Sequence, residues 1–156
     1  MTFQLGTVSH GTLRAQDLIP AFLSALDGLR QPIPGNIEAT KYMEYAGGTF
    51  DAIVSDDEDF FWDSEDAQYD VSDLMEALNN NLPPYVYFGT QEGDASDFGF
   101  WVDMPSLTED MRTYPNNYDN LSGEVELTDE GVIVQASDHG NVTLLDMNRR
   151  VIWSIA

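Results

Sequence analysis

The sequence predicts a single α+β domain over residues 1–156, an antiparallel sheet of about five to seven strands with two or three helices packed on one face. Three observations predict it. Leu18, Ile19, Phe22, Leu23, Leu26 and Leu29 recur at helical spacing. The last third of the chain alternates short apolar runs with Gly, Asp and Asn turns, as a strand meander does. The chain has 156 residues, 42% of them hydrophobic, which suits one core.

In chain order, Thr2 to Val8 reads as a short strand with Phe3 and Leu5 on one face. The first helix follows from about Ala15 to Leu29, with Pro20 read as tolerated near its start. Gly28 and the segment Gln31-Pro32-Ile33-Pro34-Gly35 mark its end. Residues 36–54 are ambiguous, reading as a helix to Ala46 broken at Gly47-Gly48 and then a strand from Thr49 to Val54. A second helix runs from about Tyr69 to Asn80, with Val71, Leu74, Met75 and Leu78 inward, and Pro83-Pro84 stops it.

Two aromatic runs, Tyr85 to Gly89 and Phe98 to Val102, read as a hairpin around a polar loop. A short helix over Ser106 to Arg112 and the polar loop TYPNNYDNLSG come next. The meander comprises Gly123 to Leu127, Gly131 to Ala136, Asn141 to Met147 and Arg150 to Ile155. There is no internal repeat and no linker composition.

Charge is the most informative feature. The chain carries 28 acidic and 6 basic residues, a formal net charge of −22. A direct nucleic-acid binder must neutralise phosphates with Lys and Arg, so that class is excluded, and a polybasic membrane-surface protein with it. The absence of cysteine excludes disulfide scaffolds, thiolate metal sites and cysteine nucleophiles. No apolar run reaches the length of a membrane span, and the N-terminus lacks a basic start followed by an apolar stretch. The expected compartment is therefore the cytoplasm.

The placement of the charge says more than its total. Between Tyr42 and Met111 there are 18 acidic residues and no Lys or Arg. The densest part, Ser55 to Glu76, holds Asp56, Asp57, Glu58, Asp59, Asp63, Glu65, Asp66, Asp70, Asp73 and Glu76. Phe60, Phe61, Trp62 and Tyr69 interleave with them, which reads as anchoring onto a core or a partner rather than as a solvated disordered run.

Other chemistry is weaker. Ser9-His10 and Asp138-His139 supply the letters of a hydrolytic triad, but a triad is recognised by geometry, and both read as turn or surface residues. An EF-hand loop from Asp57 would need Gly at its sixth position, where Trp62 stands. No metal, cofactor or catalytic residue is expected. The aromatics Tyr85, Tyr87, Phe98, Phe100 and Trp101 could line a small-molecule pocket, although sheet core is the simpler reading.

The acidic block admits three readings: a solvated face, a halophile-type surface, or mimicry of a polyanion. Acids spread by haloadaptation should be even along the chain, and these are concentrated. At one DNA charge per about 1.7 Å, the charges of the block match about 30 Å of duplex. The composition and size resemble the acidic DNA-mimic inhibitors carried by phages and mobile elements, of the anti-CRISPR and anti-restriction type. The segments SHGTLRAQDLIPAFLSAL, YFGTQEGDASDFGFW and DHGNVTLLD also look like small proteins common in phage and plasmid genomes.

The resemblance implies a non-enzymatic inhibitor with a basic DNA-binding protein or nuclease complex as its partner. The ten acids of Ser55 to Glu76 would then stand in for phosphates. The alternatives are an immunity or antitoxin protein capping a basic toxin, and a halophile-type acidic protein of other function.

Overall fold

In the computed structural model, residues 2–35, 37, 65–112, 123–137 and 139–156 are described. The protein is α+β, with three helices and two antiparallel sheets among these residues. The helices are α1 (Ala15–Gly28), α2 (Glu65–Leu78) and α3 (Met104–Arg112). Strands β1 (Gly6–Ser9), β2 (Val86–Gln91) and β3 (Asp94–Val102) form one sheet in the order β1-β3-β2. Strands β4 (Gly123–Leu127), β5 (Val132–Ala136), β6 (Val142–Asp146) and β7 (Val151–Ile155) form the other in sequence order. The seven strands are thus divided between two sheets rather than gathered in one. Apart from Ile37, which is buried, the expected elements over 36–54 and the loop from Thr113 to Ser122 lie outside the described residues.

The chain divides into two compact units, Thr7–Leu82 with Phe88–Gly99, and Met1–Gly6 with Pro83–Tyr87 and Phe100–Ala156. In the first, α1 and α2 pack against each other. α1 buries Ala15, Leu18, Ile19, Phe22, Leu23 and Leu26, and α2 buries Ala67, Val71, Leu74 and Leu78. Both sets recur at three and four residues, so each makes one apolar stripe. Phe22 meets the rings of Phe88 and Phe98 edge-on, with centroids at 5.0 and 5.5 Å. This geometry suits the ring quadrupoles.

Helix boundaries follow local chemistry. α1 has no side-chain cap at Arg14, but the Thr12 hydroxyl accepts from the Arg14 N–H at 3.1 Å and donates to Asp17 at 2.6 Å. Pro20 is inside the helix, beyond the first turn, so the carbonyl of Gln16 loses the N–H that would meet it. Apolar burial on both sides of Pro20 keeps the helix continuous across it.

The end of α1 is a Schellman motif. Arg30 N–H reaches the Asp27 carbonyl at 2.9 Å and Gln31 N–H reaches that of Leu26 at 3.0 Å, with Arg30 at φ +55° where glycine is usual. α2 begins at Glu65, a turn before the sequence suggests. Ala67 extends its buried stripe, and Glu65 and Asp66 sit favourably at the positive helix end.

In the hairpin, the strands run through most of the expected polar loop, leaving Glu92-Gly93 as the turn, with Gly93 at φ +88°. Asp97, placed by its composition in that loop, is instead in the central strand and only 7% exposed. Its Oδ1 has no hydrogen-bond partner among the described residues. β1 is shorter than Thr2 to Val8, because Gly6 at φ +119° breaks the extended run.

The second unit has its core over one face of the meander. Val125, Val134, Leu144 and Trp153 are directly opposed from β4 to β7, and α3 adds Leu107 and Met111. The next row, Glu124, Gln135, Thr143 and Ser154, is polar, as strand alternation requires. Asp103 caps α3 by accepting from the Ser106 N–H at 3.2 Å and its hydroxyl at 2.7 Å.

In the turn from Pro83 to Val86, Val86 N–H bonds the Pro83 carbonyl at 3.2 Å and Tyr85 sits at φ +65°. Three bonds hold it. Trp153 Nε1 donates to the Pro84 carbonyl at 2.9 Å, the Asp103 N–H to that of Tyr85 at 2.7 Å, and the Tyr85 hydroxyl to Asp110 at 2.6 Å.

Candidate functional site

Five of the ten expected partner-binding acids, Asp56, Asp57, Glu58, Asp59 and Asp63, lie outside the described residues. The other five, Glu65, Asp66, Asp70, Asp73 and Glu76, are all on α2. At 100° per residue they occupy one arc of about 140°, flanking the buried stripe of Ala67, Val71, Leu74 and Leu78. Burial of that stripe therefore turns all five carboxylates to the same side of the helix. Glu65, Asp66 and Glu76 are exposed, and Asp70 and Asp73 are half-buried. No basic residue occurs on α2 to interrupt the arc.

Asp66 and Asp70 are four residues apart, while Asp70, Asp73 and Glu76 follow at intervals of three, which puts neighbouring Cβ atoms about 5–6 Å apart. From Glu65 to Glu76 the helix rises about 17 Å, or one charge per about 3–4 Å of axis. Tyr69 lies within the arc and is 64% exposed. Of the four aromatics expected to act as anchors, it is therefore not committed to this unit's core, and Phe60, Phe61 and Trp62 are outside the described residues.

Among the described residues, the histidines do not form a hydrolytic constellation. His10 Nε2 is 3.3 Å from Asp94 Oδ2, and Asp94 Oδ1 accepts from the Ser96 N–H at 3.0 Å and its hydroxyl at 2.8 Å. The carboxylate stands between His and Ser, whereas general-base activation needs the imidazole between them. The Ser96 backbone N–H, its hydroxyl and the nearby His10 hold the Asp94 carboxyl below its usual range, since all three favour the charged form. His139 is exposed in the turn before β6, and Asp138 is outside the described residues. No group of three His, Asp or Glu side chains placed to hold a metal occurs among the described residues.

The hairpin aromatics are divided. Phe98 and Phe100 are core, Phe100 packing edge-on against Phe3 at 5.2 Å, and Tyr85 is engaged with Asp110. Tyr87 and Trp101 are half-buried. No helix among the described residues is long and apolar enough to cross a membrane.

Sequence reasoning read Gln31 to Gly35 only as a helix stop. Pro32, Ile33 and Pro34 instead form one wall of a groove whose other wall is the acidic side of α2. The charge pattern pointed to Asp73 and Glu76, but no local signal places the proline segment beside them. Comparison with known proteins gives no match: no family model, no curated protein and no solved structure matches the chain.

Proposed function

We propose that the protein is a non-enzymatic inhibitor whose acidic surface occupies the basic DNA-binding channel of a defence protein, a CRISPR-Cas complex or a restriction enzyme. The observation that carries this reading is the unbroken carboxylate arc of α2. Its one charge per about 3–4 Å of helix axis is close to the about 3.4 Å per phosphate along one strand of duplex DNA. The arc is part of a block of 18 acids without Lys or Arg. Such like-charge crowding costs stability, and an ordinary soluble surface intersperses both signs.

Tyr69 favours a protein as the partner. An exposed Tyr ringed by carboxylates matches the aromatic anchor and charged rim of a protein interface. The acids would steer encounter with Arg and Lys of the channel, giving fast association that weakens steeply with salt.

The test is capture of host proteins on the immobilised chain at low salt, followed by elution with a duplex oligonucleotide and, separately, with salt. The reading expects a DNA-binding complex released by both. It also expects Asp66→Asn/Asp70→Asn/Asp73→Asn to weaken capture at least tenfold and Tyr69→Ala to weaken it at constant charge. Retention that duplex DNA does not displace, or that the triple variant leaves intact, would overturn it.

A further inference from the structure

Strand β1 is held differently from the other strands of its sheet. It is an edge strand of four residues, Gly6–Ser9, and none of them is buried. By contrast, β2 buries Phe88 and Gly89, and β3 buries Asp97, Phe98, Gly99 and Phe100. The chain is anchored on either side of β1. Before it, the Phe3 N–H donates to the Ile152 carbonyl at 2.7 Å and the Phe3 ring meets Phe100 edge-on. After it, Thr12 is tied to Arg14 and Asp17 at the start of α1, whose first residue, Ala15, is buried.

Glycines in the left-handed region stand at both ends of the loosely held stretch, Gly6 at φ +119° and Gly11 at φ +80°. At neither would a Cβ meet another atom within 4 Å, so glycine serves the backbone angle there and not a close contact. The latch onto β3 is slight. The Gly11 N–H donates to the Ser96 carbonyl at 3.2 Å, and His10 Nε2 stands 3.3 Å from Asp94 Oδ2 with both side chains well exposed. A pair so exposed contributes little. Beside the latch lies a cost. Asp97, the residue after Ser96, is 7% exposed, and its Oδ1 has no hydrogen-bond partner among the described residues. Enclosing a carboxylate oxygen without a hydrogen bond disfavours the closed arrangement.

We propose that Gly6 to Gly11 is a strap that swings off β3 while the rest of the protein stays folded, and that the burial of Asp97 sets how often it opens. Local opening is cheapest where little apolar area is buried, which describes β1. The glycines absorb the change of backbone angle, and the anchors at Phe3 and Thr12 stay in place. When β1 leaves, water reaches the stretch of β3 around Ser96 and Asp97. The flank of β3 that β1 covers thus alternates between a paired state and an open one with free N–H and C=O groups. This device stands apart from the acidic-surface reading.

Native-state hydrogen exchange of the isotope-labelled full chain at low urea concentrations tests it. The Gly11 amide and the hydrogen-bonded amides of β1 should exchange at least a hundredfold faster than those of β5 and β6, after allowance for intrinsic rates. Their rates should hardly respond to urea, because the opening exposes little surface. Asp97→Asn puts a neutral amide in place of the carboxylate and should slow exchange at β1 at least fivefold by favouring the closed state. Gly11→Ala places a Cβ on a backbone strained at positive φ, which opening relieves, and should speed it at least fivefold.

Exchange at β1 with the rate and urea dependence of β5 and β6 would overturn the strap, since only global unfolding would then open it. Slowing by Asp97→Asn at β5 and β6 but not at β1 would show that opening leaves Asp97 enclosed, and would overturn its role. Unchanged exchange at β1 in Gly11→Ala would overturn the hinge.

Discussion

The side-chain amide of Asn79 pairs with both backbone groups of Phe88, accepting from its N–H at 2.8 Å and donating to its carbonyl at 2.9 Å. Asn79 follows the last residue of α2, and Phe88 is in β2, an edge strand of the three-stranded sheet. The amide thus imitates a neighbouring strand at one residue, while its nitrogen also donates to the Met75 carbonyl at 3.0 Å. The contact ties the acidic helix to the sheet whose Phe88 and Phe98 rings pack on Phe22.

Asn79→Ala should therefore lower the unfolding free energy by about 2 kcal/mol, since two part-buried hydrogen bonds are lost at once. Asn79→Asp retains the acceptor for the Phe88 N–H but sets a carboxylate against the Phe88 carbonyl, and should be no more stable than the Ala variant. Urea unfolding of the three proteins checks this. An Ala variant within about 0.5 kcal/mol of wild type would show that the contact does not contribute.

At Arg30 the usual ranking of residues should reverse. In a helix interior Gly is worse than Ala by about 1 kcal/mol. Arg30 has φ +55° within the Schellman turn, where a Cβ is strained. Arg30→Gly should be more stable than Arg30→Ala by about 1 kcal/mol, and because both remove the same charge the comparison isolates the backbone. Thermal melts that rank Ala above Gly would contradict the left-handed geometry.

Glu124 predicts the acid limb of stability. The two-pronged bond from Arg149, at 2.9 and 3.0 Å, holds its carboxyl down to about 2, with help from Gln135 at 3.0 Å. A carboxyl depressed in the folded state contributes stability above its unfolded value and loses it as pH falls through the folded one. The Tm difference between wild type and Arg149→Met should thus be full above about pH 4.5, shrink below it and vanish near pH 2. A difference that persists unchanged below pH 2 would mean that Arg149 acts by packing instead.

The one-signed charge along α2 predicts opposite salt effects on folding and on binding. Added NaCl should raise Tm by screening self-repulsion and weaken partner capture by screening attraction. Glu76→Gln removes a negative charge from the negative end of α2 and from beside Asp73, and should stabilise the protein by about 0.5 kcal/mol at low salt while reducing capture. A variant that is both less stable and fully competent to bind would contradict the trade-off.

Short-range periodicity and composition already encode much of this protein. The apolar stripe of α1, the four meander strands to within a residue or so at each end, and the location of the acidic block are all legible without coordinates, because each depends on residues close along the chain. The same is true of the Asp70, Asp73 and Glu76 part of the carboxylate arc, whereas Glu65 and Asp66 join it because α2 begins a turn before the sequence suggests. Other features depend on partners distant in sequence. The division of seven strands into two sheets, the burial of Asp97 in a central strand and the pairing of Asn79 with Phe88 have no local signature. Nor does the approach of Pro32, Ile33 and Pro34 to Asp73 and Glu76, about 40 residues away, which turns a run of like charges into a groove with one apolar and one acidic wall. Charge pattern is a property of the chain, whereas a recognition site also needs a shape, and shape arises when burial brings separate segments together.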